Sequence, residues 1–169
     1  MSSEWTEVEV GDVCSVGDGA HSKVSRQTSG VPYLTSKNIG RGQLKLESFD
    51  YISHNDFERL FPSNSKATRR PQAGDILIGI IGTFGNAYVY KKSDIFGFSS
   101  SIGVLRPDKT KILSDYLYYI ITSQKFRAAH ENCDGGSVQG YTNIPTIKKL
   151  KLPLPPIGDQ KKLRIYFLP

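Results

Sequence analysis

Gly74-Asp75-Ile76-Leu77-Ile78-Gly79-Ile80-Ile81 is the most apolar stretch of the chain, and the fold turns on how it is read. Ile76, Leu77, Ile78, Ile80 and Ile81 run almost without interruption, where a strand with one wet face would alternate apolar and polar residues. The run therefore predicts a strand covered on both faces, with structure packed above and below it. Gly82-Thr83-Phe84-Gly85-Asn86 carries the residues of a turn, and Ala87-Tyr88-Val89-Tyr90 reads as the returning arm of a hairpin.

Further strands lie on either side. Ser101 to Leu105 reads as one, stopped by Pro107-Asp108, and Val31-Pro32-Tyr33-Leu34 as another, running into Thr35-Ser36-Lys37-Asn38-Ile39-Gly40. Leu44 to Ile52 alternates. Trp5 to Val16 alternates imperfectly through Val8, Val10, Val13 and Val16, which predicts an entry strand or turn packed by Trp5. His54 to Phe61 reads as a short helix closed by Pro62. From Ser114 as N-cap, Tyr116, Leu117, Ile120 and Ile121 fall at helical spacing, and Phe126 and Ala129 extend the pattern toward His130 as one long amphipathic helix. Ile147-Lys148-Lys149-Leu150 reads as a short basic turn. Leu152-Pro153-Leu154-Pro155-Pro156 must be extended, because each proline disfavours helix at the residue before it. Asp159-Gln160-Lys161-Lys162-Leu163 then opens a helix, and the sequence stops at Pro169. The fold class expected is α+β (mixed α/β), a single globular domain around a central, largely antiparallel or mixed sheet. A length of 169 residues suits one domain.

Most catalytic constellations are missing. There is no GxxxxGK[ST] phosphate loop and no HExxH helix, and Gly79, Gly82 and Gly85 have the wrong spacing for a dinucleotide loop. The Asn/Asp-Pro-Pro-aromatic loop of an adenine methyltransferase is absent too, the only double proline being Pro155-Pro156. Asp108 can be paired on paper with Asp159-Gln160-Lys161 as a nuclease motif, but the two pieces sit in separate surface turns. Cys14 and Cys133 have no zinc spacing and read as reduced packing residues. His130 suits a helix C-terminus and His54 an N-terminus, which leaves His21 as the histidine in a functional type of loop. No apolar run reaches the roughly 18 residues of a membrane span, and the start lacks a secretory signal, so a cytoplasmic protein is expected.

The balance of 22 Lys+Arg against 16 Asp+Glu gives a net charge of +6, too modest to name a partner alone. Its placement is more informative. Nucleic-acid binding needs cations for phosphates together with amides, hydroxyls and guanidinium groups for base edges. Three loops supply that mixture: His21-Ser22-Lys23 with Arg26 and Gln27; Lys66, Thr68, Arg69, Arg70 and Gln72; and Ser137 to Asn143. Lys37, Asn38 and Arg41 add a fourth cationic patch. Lys23, Lys37, Arg41, Lys66, Arg69 and Arg70 are the candidate phosphate contacts, and His21, Ser22, Gln139, Tyr141 and Asn143 the candidate base-edge or groove contacts.

An ordered set of short segments carries a resemblance. Gly17-Asp18-Gly19-Ala20-His21 comes first, then Gly30-Val31-Pro32-Tyr33-Leu34 with Lys37-Asn38-Ile39, and Asp50-Tyr51-Ile52-Ser53. Pro71-Gln72-Ala73-Gly74-Asp75-Ile76-Leu77-Ile78 follows with Gly82-Thr83-Phe84-Gly85, then Val104-Leu105-Arg106-Pro107, Tyr116-Leu117-Tyr118-Tyr119 with Ser123, and Leu152-Pro153-Leu154-Pro155-Pro156 with Gln160. In this order, across almost the whole chain, they resemble the target recognition domain of the DNA-specificity (S) subunit of type I restriction-modification systems.

The resemblance implies a non-catalytic reader of double-stranded DNA, in which one such domain recognises half of a split sequence. Long helices after the Leu-Pro-Leu-Pro-Pro segment would space two domains and dock methyltransferase subunits. S-adenosylmethionine, ATP and magnesium would belong to those partners and to a motor subunit that cleaves DNA, with no cofactor here. On this reading residues 1–156 form the recognition domain and 157–169 the start of a truncated spacer helix, with the second recognition half elsewhere. The third loop departs from the family, with Gly140-Tyr141 where relatives often carry Pro-Asn. Alternative readings are the recognition domain of a fused restriction-methylation enzyme, a catalytic methyltransferase or nuclease fragment, and a pure assembly module.

Overall fold

The computed structural model describes residues 5–64, 68–82, 84–133 and 142–167. In chain order its strands are β1 (Thr6–Glu9), β2 (Cys14–Asp18), β3 (Val31–Leu34), β4 (Asp50–Ile52), β5 (Ile76–Gly79), β6 (Ala87–Val89), β7 (Gly97–Phe98), β8 (Ile102–Pro107) and β9 (Lys151–Leu154). Its helices are α1 (Val10–Val13), α2 (His54–Leu60), α3 (Ser114–Thr122), α4 (Gln124–Cys133), α5 (Ile144–Lys149) and α6 (Ile157–Phe167). The architecture is mixed α and β, with the apolar run at its centre.

β5 lies inside a four-stranded antiparallel sheet of order β2-β8-β5-β6, and all four of its residues are buried. Its two faces belong to different cores. Ile76 and Ile78, continued by Ile80, join Leu105, Val10, Val13 and the inner faces of α3, α4 and α5. Leu77 joins Val104, Ile102 and Tyr88 in a second core. There the three-stranded sheet β4-β3-β7 and α2 contribute Tyr33, Leu34, Ile52, Phe57, Phe61 and Phe98. The central sheet is thus a wall between a helical layer and an aromatic layer, which is why its middle strand cannot alternate. β6 forms the hairpin with β5, with Ile76 opposite Val89.

Elsewhere the chain differs from its pattern for local reasons. The expected long helix is broken at Ser123, whose backbone is extended (φ −69°, ψ 149°). Its Oγ donates to the Ile120 carbonyl at 2.6 Å and accepts the Phe126 N–H at 3.2 Å, so the serine ends α3 and opens α4. Ser114 is the first helical residue rather than the cap, a position held by Leu113 without a side-chain bond. Trp5 packs nothing into the core, being 47% exposed; Val10 and Val13 of α1 do that work, while β1 pairs with β9. Only Asp50–Ile52 of the 44–52 stretch is a strand, and the basic turn before β9 is the helix α5, capped by Asn143.

Cys14 is a free, buried thiol, and burial first, then the Asp108 carboxylate, pushes its pKa up to about 12. The thiolate is the reactive form. Cys14 is therefore expected to resist alkylation at pH 8 in the native protein and to react once the protein is unfolded, as read by peptide mapping.

Candidate nucleic-acid interface

The carboxyl end of β5 gathers several of the loops singled out by composition. The Ser36 N–H donates to Ser101 Oγ at 3.0 Å, and the Thr142 N–H to the Ile80 carbonyl at 2.9 Å. The Gly42 N–H reaches the Ala87 carbonyl at 2.8 Å, which brings Arg41 alongside Ala87. β2 ends at this same edge, Asp18 lying opposite Gly103 and Gly103 opposite Ile78.

From β2 the first loop is drawn down at once. The Ala20 N–H donates to Phe98 O at 2.9 Å and the Ser100 N–H to Ala20 O at 3.0 Å. A side chain at Gly19 would place its Cβ 2.3 Å from Phe98 O and 2.4 Å from Ser99 O, so only glycine permits the approach. The loop is fastened again where Gln27 pairs with Tyr51 and Arg26 with the Asp50 carboxylate. Between the two fastenings His21, Ser22 and Lys23 form an exposed arch. His21 Nε2 lies 2.8 Å from Asp18 Oδ2, which anchors the imidazole at the root of the loop.

Lys37 is exposed on a 3-10 turn over Ser36–Asn38. Asn38 beside it is not part of the cationic surface: it is buried, and its amide is spent inside the protein. Its Oδ1 accepts the Thr35 N–H at 2.9 Å, while Nδ2 donates to the carbonyls of Lys45 at 2.8 Å and Ser48 at 2.9 Å. That clamp folds the following segment back and opens a cleft of about 510 Å³. Arg26, Lys37 and Lys45 line it as cations and Glu47 and Asp50 as acids, with Tyr33 and Phe49 among its walls. Lys45 escaped the sequence reading because it sits in an alternating stretch that looked like a plain strand. The asparagine that holds it gave no sign of its burial in the sequence.

Phe84 and Gly85, in the neighbouring turn, are held against α4. Phe84 stacks on His130 with ring centroids 3.8 Å apart and planes 10° from parallel. Gly85 has φ +97°, and a Cβ there would lie 2.2 Å from Arg127 Cδ, so α4 packs tightly over the turn.

Arg69 and Arg70 are not brought to this end. The Arg70 carbonyl accepts from Arg106 at 2.8 Å, and Arg106 grips Asp75 at the amino end of β5. Arg70 Nη1 donates to Phe61 O at 2.6 Å, and the guanidinium lies 4.5 Å over the Phe57 ring. A guanidinium stacked and bonded in this way serves the fold first, whereas Arg69 is exposed. Asn143 Oδ1 caps α5 by accepting the Thr146 N–H at 2.8 Å, so half of its amide is likewise committed. Lys66, Gln139 and Tyr141 lie outside the described residues.

Among the described residues, no group of His, Cys, Asp and Glu could hold a metal ion, and no helix is long and apolar enough to cross a membrane. What the surface does offer is an end of the molecule where exposed cations and hydroxyls project from clamped loops. Residues 2–165 match the family described as the type I restriction modification DNA specificity domain. The chain belongs to this family.

The chain is 26% identical over 172 residues to a type I restriction enzyme specificity subunit of Methanocaldococcus jannaschii, covering 96% of this chain and 38% of that protein. It is 30% identical over 113 residues to a candidate specificity subunit of Haemophilus influenzae, covering 67% of this chain and 27% of that one. The HsdS subunit of Thermoanaerobacter tengcongensis superposes with a TM-score of 0.62 at 19% identity, over 98% of this chain and 37% of the other. A chain from a type I restriction-modification assembly gives 0.64 at 18% identity, which likewise shows the shared fold. The specificity domain thus spans well under half the length of the relatives it matches.

Proposed function

We propose that this specificity domain reads one half of a split double-stranded DNA site and does no chemistry itself. The reading rests chiefly on the convergence of the 18–27, 35–45 and 142–143 segments at the carboxyl end of β5. There Lys23, Lys37, Arg41 and Lys45 can meet phosphates, and His21 and Ser22 can reach base edges from a loop fixed at both ends. Phosphate contacts set register while base contacts set sequence, so a rigid loop beside a cationic rim suits a reader. Arg69 is a peripheral phosphate contact on this account, and Arg70 a residue of the fold. Gln139, Tyr141 and Asn143 complete the base contacts.

Methylation and cleavage are assigned to partner subunits, with S-adenosylmethionine on the methyltransferase and ATP and magnesium on the motor. A second recognition half completes the site, and α6 begins the spacer toward it.

Selection of binding sites from a randomised duplex pool by the full-length gene product tests this. The expected result is a two-part motif, one part of which loses preference at a base when Ser22 is changed to alanine. Discrimination at a single base contact is worth about 1–3 kcal/mol. Recovery of no motif, or measurable heat on titrating S-adenosylmethionine into the chain alone, would contradict the proposal.

A further inference from the structure

We infer that the groove between the α3–α4 bend and β9 docks a partner protein through an apolar segment flanked by carboxylates. The groove has a volume of about 370 Å³. Ile120, Phe126 and Leu150 supply its floor, and all three are core residues whose edges are shared between the groove and the helical core. Ala129 on α4 and Pro153 on β9 wall it without filling it.

The rim carries the chemistry. Lys125, Lys149 and Lys151 stand around the apolar floor against the single acid Glu7. Glu7 and Lys151 approach to 3.5 Å with side chains 66% and 65% exposed, a pair of little strength in water. Among the described residues, no carboxylate forms an ion pair with Lys125 or Lys149. An apolar centre inside a charged rim is the layout of a protein interface, and three lysines select an acidic complement. A DNA backbone would gain the lysines but nothing from the floor, and protein is the occupant that uses both.

Position separates the groove from the reading surface. α5 leaves that surface at Asn143, beside the Thr142–Ile80 contact, and delivers Lys149 and Leu150 to the groove at its other end. A partner seated here leaves the DNA-facing loops clear, so the inference goes beyond DNA reading and does not depend on it.

The test uses the full-length gene product and two labelled synthetic helical peptides with the same leucine face, one flanked by glutamates and one by lysines. Fluorescence anisotropy is expected to show binding of the acidic peptide only, undiminished by saturating duplex DNA. Lys125→Glu with Lys149→Glu, both at exposed positions, should weaken that binding at least tenfold and admit the lysine peptide. Failure of the acidic peptide to bind, equal binding of both peptides, indifference to the charge reversal, or displacement by duplex would each overturn the inference. Failure of the DNA-reading proposal would appear separately, in site selection.

Discussion

Replacement of Arg106 by alanine is expected to destabilise the domain by about 3–5 kcal/mol, the cost of stranding one member of a buried ion pair. Arg106 Nη2 donates to Asp75 Oδ2 at 2.8 Å and Nε to Oδ1 at 3.1 Å, with the Asp75 side chain only 3% exposed. The same guanidinium holds the Arg70 carbonyl, so its loss also removes one of the bonds that tie Arg70 to the sheet. Among the described residues, the Asp75 carboxylate then keeps only the Gln72 N–H, at 2.9 Å. The measurement is a urea titration, where a typical slope of about 2 kcal/mol per molar puts the midpoint about 1.5–2.5 M lower. The double variant Asp75→Leu with Arg106→Met should recover much of the loss, since an apolar pair of similar volume carries no desolvation cost. A shift under about 0.5 M for Arg106→Ala would mean that the pair is not sealed from water as described.

Gln160→Leu comes second, at about 3 kcal/mol. Gln160 is buried and joins three segments: Oε1 accepts the Leu113 N–H at 2.8 Å, and Nε2 donates to the carbonyls of Lys111 and Pro155, each at 2.9 Å. Leucine fills a similar space and satisfies none of the three, and each orphaned buried group costs about 1–3 kcal/mol, less where water reaches it. α6 would then keep its hold on the domain through Leu163, packed on the helical core, and the exposed Arg164–Asp115 pair at 2.8 Å. Amide hydrogen exchange at Leu113 reads the change directly: its protection should fall well before that of the β5 amides. Unchanged protection would remove Gln160 from the junction.

How far the sequence discloses such features depends on their range. The aliphatic run of β5 was legible because burial on both faces leaves a compositional mark, and the hairpin to β6 because its turn residues adjoin it. α2 was legible from the 54–61 stretch and the proline that closes it, whereas its cap, Ser53 Oγ accepting the Asp56 N–H at 3.0 Å, came only with the structure. The break at Ser123 was not, since a helical apolar pattern continues across it and a single hydroxyl decides the matter. Arg70 and Asn38 show the same limit at the candidate site. Each has the composition of a DNA contact, yet one is drawn to Phe57 and Phe61 and the other to Lys45 and Ser48 by partners that only folding reveals. The first loop was legible as a loop because its glycines and polar residues are contiguous. Its clamp onto Phe98 and Ser99 was invisible.

On the proposed function the carboxyl end of β5 is the DNA-facing surface. The salt dependence of duplex binding tests it most directly, measured by anisotropy for the wild type and for Lys23→Ala/Lys37→Ala/Lys45→Ala. A plot of log affinity against log salt should lose about 0.9 in slope for each phosphate contact removed, roughly 2.7 for the triple variant. An unchanged slope, with affinity retained, would place the DNA on another face of the domain.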